Sequence, residues 1–282
     1  MRLLLDWFPN PDHAPLYAAD HGCEIVVPAD PDEPLAAVAD GDAELCLNYQ
    51  PNVTLARARG LPVRAVGVLI DTVLDTLMTR LDGPVSSVRD LAGRRVAYAV
   101  EPFDRAMFEA MAQHAALEPG SWEFVSVGFD FTRALLDDRV DAVMGAFRNY
   151  EVIEAACLGM PVRVFELTDH GVPPFAQLVL VARDDGIVAH GTEIAHIRRA
   201  IASGIERTRT DPGSAWVAYL RANPDHDDAF HRLAFDATVP LFAVEQRQDE
   251  RRWSDFAAFL VARGLADRAP AARDLLAEEL VR

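Results

Sequence analysis

The segment LDWFPNPDHAPLYAAD, residues 5–20, contains an unusual number of aromatic, amide and imidazole side chains where an apolar strand is predicted to end. Trp7 is a candidate for stacking on a ring, and Phe8 alternates with it across the strand end, so at most one of them can face a ligand. Asn10 can offer a ligand both a donor and an acceptor, or stabilise the turn as an Asx-turn residue. His13 either hydrogen-bonds a ligand or packs in the first turn of the following helix.

A second segment, GAFRNYE (residues 145–151), also combines aromatic and polar side chains and supplies Arg148, Asn149 and Glu151 as candidates. Glu151 is the first choice for a carboxylate that accepts an N–H from a ligand, although the helix dipole also favours a carboxylate in a first turn. The candidates for aromatic contact are Tyr49, Phe103, Phe147 and Phe175, and weaker carboxylate candidates are Asp6, Asp71 and Asp75.

The composition excludes several kinds of chemistry. The 282 residues carry a formal net charge of −17, which argues against binding to the phosphates of a nucleic acid. All 27 basic residues are arginine, so no lysine amine can form a Schiff base. The three cysteines lack metal-ligand spacing, and HDDAFH (residues 226–231) is better explained as a polar helix start than as a metal site. We therefore predict no catalytic residue, metal or cofactor.

An internal repeat organises the first part of the chain. At an offset of 99 residues, DAELCLNYQPNVTLARARGLPVR (residues 42–64) aligns without a gap with DAVMGAFRNYEVIEAACLGMPVR (residues 141–163). Each copy is preceded by a strand, a proline-bearing turn and an amphipathic helix, with Asp12 and Asp104 as candidate N-caps. This alternation predicts an α/β fold with mostly parallel sheets flanked by helices. Ligands bind such sheets at the carboxyl ends of the strands, where the polar-aromatic turns fall.

The last third of the chain is predicted to be helical. Helical spacing occurs near residues 193–209, 213–221, 227–235, 249–263 and 271–281, with Thr192 and Asp227 as plausible caps. The strands DTLMTRL (residues 75–81) and AQLVLVAR (residues 176–183) are the candidate crossings between two lobes.

Five segments carry a resemblance to a known family. LDWFPNPDHAPLY, GDAELCLNYQP, DLAGRRVAY, VDAVMGAFRNYE and GVPPFAQLVLVA resemble, in order, the thiamine-pyrimidine-precursor group of the type II periplasmic binding proteins. The resemblance implies two α/β lobes that close on a ligand, with residues 1–78 and 183–282 in lobe 1 and residues 79–182 in lobe 2. It also implies capture of an aminopyrimidine, such as a formylaminopyrimidine, for the permease of an ABC importer.

The sequence departs from the family pattern in two respects, and two kinds of enzyme on the same fold are rival interpretations. A GYF-x-x-x-GL segment is missing after the first helix, and no export signal follows Met1, so the expected location is the periplasm or cell envelope if a signal was removed and the cytoplasm if Met1 is the native start. The rival interpretation is a cytoplasmic enzyme on the same fold, similar to chorismate dehydratases or to hydroxymethylpyrimidine-phosphate synthase. In that synthase a lysine holds pyridoxal phosphate and a histidine is the second reactant. Those two positions fall on Asn48 and Asn52 in this chain.

Overall fold

The structure is a computed structural model that describes residues 1–30 and 33–277. The chain divides into two compact units. Unit 1 consists of Met1–Thr72 and Phe175–Arg282, and unit 2 consists of Val73–Pro174. Each unit contains one five-stranded sheet, so the predicted α/β class is confirmed.

Ten strands and eleven α-helices make up the two units. The strands are β1 (Arg2–Leu4), β2 (Glu24–Val26), β3 (Leu45–Asn48), β4 (Val63–Ile70), β5 (Asp75–Arg80), β6 (Arg95–Tyr98), β7 (Glu123–Ser126), β8 (Ala142–Phe147), β9 (Val162–Glu166) and β10 (Leu178–Arg183). The helices are α1 (Ala14–Tyr17), α2 (Glu33–Asp40), α3 (Gln50–Ala58), α4 (Phe103–His114), α5 (Phe131–Leu136), α6 (Glu151–Cys157), α7 (Asp184–Thr210), α8 (Pro212–Ala222), α9 (Ala229–Thr238), α10 (Glu250–Ala262) and α11 (Ala272–Leu275). These counts cover the described residues.

The sheet of unit 1 has the strand order β2-β1-β3-β10-β4. β1 runs parallel to β2 and β3, whereas β10 runs antiparallel to β3 and β4. Every residue of β3 is buried, and so is almost all of β4. Continuous apolar strands of this kind, rather than alternating ones, are what a sheet covered on both faces requires. The sheet therefore fixes the carboxyl ends of β1 and β3 side by side.

The sheet of unit 2 repeats this arrangement with the order β7-β6-β8-β5-β9. β6 is parallel to β7 and β8, and β5 is antiparallel to β8 and β9. Each strand thus has a counterpart in unit 1, with β5 in the place of β10. β4 begins at Val63 and β9 at Val162, which is the predicted offset of 99 residues. The repeat read from the sequence is therefore a repeat of whole strand–helix units.

The units divide at different residues from those predicted for the lobes. The predicted boundaries after residues 78 and 182 fall inside β5 and β10, but all of β5 pairs with β8 and β9, and all of β10 pairs with β3 and β4. A strand needs partners along its whole length because buried backbone groups must be hydrogen-bonded. The divisions accordingly lie before each strand, at Thr72/Val73 and at Pro174/Phe175.

Several predicted helix starts need correction. Asp12 lies inside a short 3-10 helix, Pro11–His13, whose N-cap is Asn10. Asp104 is the second residue of α4 rather than its cap, and α9 is capped by Asp228 rather than Asp227. Thr192 lies inside α7, which is kinked at His190.

Two further C-terminal segments are helical as predicted, but the helix predicted over residues 271–281 is wrong in part, because it ends at Leu275 and Leu276 is extended and forms a parallel β-bridge with Ala65. α8 and α10 cover the predicted segments, and residues 278–281 of the last one lie outside the described residues. Within the described residues, none of the helices has the length and apolarity to cross a membrane.

Candidate ligand-binding turns

The turn after β1 is built around Asn10. Its Oδ1 accepts a hydrogen bond from the Asp12 backbone N–H at 2.9 Å, and its Nδ2 donates to the Phe8 carbonyl at 3.3 Å. In return, Nδ1 of His13 accepts from the Asn10 backbone N–H at 3.2 Å, which completes a reciprocal cap. The amide of Asn10 therefore holds the turn, which is the Asx-turn interpretation of this residue.

His13 connects this turn to Asp6 in the interior of unit 1. Its Nε2 lies 2.7 Å from Asp6 Oδ1, and the two side chains are 0% and 5% exposed. Since Nδ1 accepts from a backbone N–H, Nε2 carries the ring hydrogen and donates to the carboxylate. Both nitrogens of His13 are thus hydrogen-bonded within unit 1.

Asp6 also joins the first turn to the second. The hydroxyl of Tyr49 donates to Asp6 Oδ2 at 2.6 Å, across 43 positions of sequence. Burial alone would raise the pKa of Asp6, but the electrostatic interaction with the polar N–H of His13 and the hydrogen bonds from His13 and Tyr49 lower it below its ordinary value. Asp6 is therefore a buried carboxylate that stays ionised, a role for which the sequence ranked it only as a weak candidate.

The two aromatic residues after β1 contact each other edge to face. The ring centroids of Trp7 and Phe8 are 5.5 Å apart with an interplanar angle of 61°. Trp7 is half-buried, whereas 42% of Phe8 is exposed. The turn therefore provides a partly exposed aromatic pair in the two residues that follow Asp6 in the chain.

The turn after β3 is braced by amide side chains. Asn48 Oδ1 accepts from the Tyr49 N–H at 2.9 Å and from Asn52 Nδ2 at 3.1 Å. Gln50 holds the backbone of Ala176 from both sides: its Oε1 accepts from the Ala176 N–H at 2.7 Å, and its own N–H donates to the Ala176 carbonyl at 3.2 Å. Sequence reasoning missed Gln50, because its partner lies 126 positions away.

Phe175 is placed in the core of unit 1. Its ring is fully buried and lies 4.9 Å from the ring of Phe256 in α10. The sequence predicted a position on a ligand-facing loop, whereas the structure uses this aromatic ring for packing beneath the segment that Gln50 holds.

In unit 2 the equivalent turn follows β8. The Phe147 backbone N–H donates to Glu151 Oε2 at 2.7 Å, so the carboxylate at the start of α6 closes its own turn. The guanidinium of Arg148 pairs with Glu166, and its backbone N–H donates to the Leu74 carbonyl at 3.0 Å. Asn149 is buried and Phe147 is half-buried. Phe147, Arg148, Asn149 and Glu151 all lie between the end of β8 and the start of α6.

Phe103 begins α4 and is half-buried, and Asp104 follows it with only 4% of its surface exposed. Asp104 Oδ2 accepts from the Ala99 and Val100 N–H groups, each at 2.9 Å. Burial is the largest influence on this carboxyl and raises its pKa to about 6 despite those two donors. The carboxyl lies against the bulge residue Gly145 of β8, where an added Cβ would be 3.2 Å from Oδ1.

The histidines of the HDDAFH segment form a ring pair rather than a metal centre. His226 and His231 stack with centroids 4.0 Å apart, and they bond to Tyr219 and Asp228 respectively. Across residues 1–30 and 33–277, no three His, Cys, Asp or Glu side chains are grouped so that they could hold a metal ion.

The two sheets have equivalent strand orders, and each contains one antiparallel strand, β10 in unit 1 and β5 in unit 2. This arrangement is the two-lobed fold of the periplasmic binding proteins. A solved structure with this fold is the periplasmic aliphatic sulphonate-binding protein SsuA of Escherichia coli. It has a TM-score of 0.74 and 17% sequence identity, and the match covers 97% of this chain and 90% of that one. The chain belongs to the family described as NMT1/THI5 like, whose model matches residues 10–215.

Proteins similar to this chain carry three kinds of name. A thiamine biosynthesis protein of Haemophilus influenzae is 30% identical over 99% of this chain and 91% of its own length. A formylaminopyrimidine-binding protein of Halalkalibacterium halodurans is 30% identical over 80% of this chain and 71% of its own length. A 4-amino-5-hydroxymethyl-2-methylpyrimidine phosphate synthase of Legionella pneumophila is 27% identical over 90% of this chain and 83% of its own length.

Proposed function

We propose that this chain is a solute-binding protein that captures a thiamine-related aminopyrimidine for an ABC importer. The observation that carries the proposal is the partly exposed Trp7–Phe8 pair in the turn after β1, which the buried, ionised Asp6 carboxylate joins to Tyr49 in the turn after β3. An aminopyrimidine has an aromatic face and N–H donors, and this turn offers a stacking surface and acceptors. The similarity to a protein named for binding formylaminopyrimidine supports the choice of ligand class.

In this proposal the protein acts by binding and release. The ligand shifts the protein toward a bound conformation by the difference in its affinity for two states, and no covalent bond changes. Trp7 contributes the stacking face, while Phe147, Arg148, Asn149 and Glu151 are the polar and aromatic candidates of unit 2. An importer role places the protein on the outer side of the cytoplasmic membrane, which fractionation of native cells would test.

The second candidate function is the pyrimidine-phosphate synthase reaction, because several relatives carry that name. Its lysine and histidine fall on Asn48 and Asn52 in the sequence alignment, and the chain contains no lysine. In the structure Asn48 is 3% exposed and its Oδ1 accepts two hydrogen bonds that brace the turn. These residues fit a scaffold better than a Schiff-base site, and they favour binding over synthesis.

A thermal-shift titration tests the proposal against both rivals. The panel is formylaminopyrimidine, hydroxymethylpyrimidine, thiamine and chorismate, with pyridoxal phosphate as the synthase probe. A ligand at a hundred times its dissociation constant stabilises the folded state by about 2.7 kcal/mol. We expect a shift with a pyrimidine that is reduced in Trp7→Ala and in Glu151→Ala. A shift with chorismate alone, or with pyridoxal phosphate alone, would replace the binding-protein proposal with an enzyme.

A further inference from the structure

We infer that the Tyr49 hydroxyl can only accept a hydrogen bond from the ligand. It therefore selects a ring that carries an amino group over one that carries a carbonyl. The inference deepens the proposed function and rests on it. Tyr49 is partly exposed at the turn after β3, and its hydroxyl is hydrogen-bonded to the buried Asp6 carboxylate.

The direction of each hydrogen bond follows from the backbone. The Asn10 N–H can only donate, so Nδ1 of His13 accepts and is unprotonated. Nε2 of His13 then holds the ring hydrogen and donates to Asp6 Oδ1 at 2.7 Å. The Asn10 backbone N–H therefore fixes the direction of both hydrogen bonds of His13.

Asp6 transmits this direction to Tyr49. Its ionised carboxylate has no hydrogen to donate, so the contact of 2.6 Å between Asp6 Oδ2 and the Tyr49 hydroxyl requires Tyr49 to be the donor. The distance is in the short range of O–H···O⁻ bonds, which are stronger than neutral ones. A phenol has a single hydrogen, and every further hydrogen bond of this hydroxyl is therefore accepted on its lone pairs.

A ligand N–H satisfies such an oxygen, whereas a carbonyl would bring two acceptors together. Sites built around a ligand donor reject analogues that lack it, because a buried polar group is left without a partner. Two rings of nearly equal shape, 4-amino-5-hydroxymethyl-2-methylpyrimidine and its 4-oxo analogue, differ in this property. We expect wild-type protein to bind the amino compound at least about tenfold more tightly.

Substitution of Asp6 gives a directional test. In Asp6→Asn, the amide oxygen remains where His13 donates, and the NH2 group falls where Oδ2 accepted from Tyr49. The amide then donates to the Tyr49 oxygen, and the hydroxyl hydrogen is released to donate to a ligand carbonyl. The preference for amino over oxo should fall or reverse in this variant, which loss of structure alone would not produce.

The experiment is calorimetric titration of both compounds into wild type, Tyr49→Phe and Asp6→Asn. Tyr49→Phe keeps the ring and removes only the hydroxyl, so it stands alone if Asp6→Asn fails to fold. The inference expects weaker binding of the amino compound by Tyr49→Phe and a reduced amino-to-oxo ratio. An unchanged ratio in Tyr49→Phe, with wild type still binding, would overturn this inference and leave the proposed function standing. Absence of binding of both compounds to wild type would overturn both.

Discussion

His13 and Asp6 form a buried pair in which Nε2 of the imidazole lies 2.7 Å from Oδ1 of the carboxylate. The contact joins the 3-10 helix after the first turn to the end of β1, and Tyr49 extends it to the turn after β3. Two turns that are far apart in sequence are thereby held by one carboxylate. The arrangement explains why the opening segment of the chain contains so many specific side chains.

Removing His13 should destabilise the protein strongly. His13→Ala leaves a buried carboxylate with one of its donors missing, and an unsatisfied buried charged acceptor costs about 3 kcal/mol or more. Urea unfolding would measure the loss. Arg133→Ala is the matched control, because Arg133 pairs with Asp137 at an exposed i,i+4 position, and we expect a loss below about 0.5 kcal/mol. Equal effects of the two substitutions would show that the Asp6–His13 contact has no special weight.

Asp104 should give the protein a distinctive dependence on pH. Burial raises the pKa of Asp104 in the folded state to about 6. Between the ordinary pKa of an aspartate and pH 6, the folded protein therefore keeps a proton that the unfolded chain has released. The stabilising contribution is complete below that ordinary value and is lost as the pH rises through about 6. Lowering the pH from 7 to 5 should therefore raise the free energy of unfolding of wild type by about 1 kcal/mol more than that of Asp104→Asn.

Unfolding free energies of the two proteins across that range would measure the difference. All other titrating groups are shared, so they cancel in the comparison. Parallel pH profiles would mean that Asp104 has an ordinary pKa in the folded protein.

Gly145 should not tolerate a side chain. It has φ +91°, and an added Cβ would lie 3.2 to 3.4 Å from the Asp104 carboxyl atoms. Gly145→Ala should cost about 2–3 kcal/mol, because backbone strain adds to displacement of a buried carboxyl. Gly159→Ala is the control for strain alone, since Gly159 has φ +72° and nothing within 4 Å of the added atom. We expect thermal unfolding to place Gly145→Ala clearly below Gly159→Ala, and the reverse order would refute the contact.

Gly204 should be required for the packing of α7 on the first helix. An alanine Cβ there would be 2.2 Å from the Pro15 carbonyl oxygen and 2.9 Å from Ala19 Cβ. Gly204→Ala should cost more than about 3 kcal/mol, because the backbone must move to admit the methyl group. Gly186→Ala, in the first turn of the same helix, meets only Arg183 Cβ at 4.0 Å and should be neutral or stabilise by up to about 1 kcal/mol. Chemical denaturation of both variants checks the contrast.

The repeated strand–helix order was predictable because it depends on local sequence patterns. Apolar runs bounded by turn residues marked β3, β4, β8 and β9, and their offset of 99 residues revealed the repeat before any contact was known. The unit boundaries were less accessible, since the pairing of β5 and β10 depends on strands distant in sequence.

The positions of the candidate turns were predictable from the sequence, but the hydrogen bonds between their side chains were not. Asn10 and Asp12 are both good capping residues, and only the geometry shows that Asn10 is the one used. Burial would raise the pKa of Asp6, and it is lowered by His13 and also by the hydrogen bond from Tyr49, 43 positions away, to which no spacing rule links it. Contacts between side chains of distant segments are therefore the part of the site that the sequence left open.

The central claim is that this chain binds an aminopyrimidine without transforming it. The most direct measurement is calorimetric titration with formylaminopyrimidine, followed by mass analysis of the ligand released on denaturing the complex. We expect saturable binding of one ligand per chain, weaker binding in Trp7→Ala, and recovery of the ligand unchanged. Absence of heat with every pyrimidine tested, or recovery of a chemically altered ligand, would contradict it.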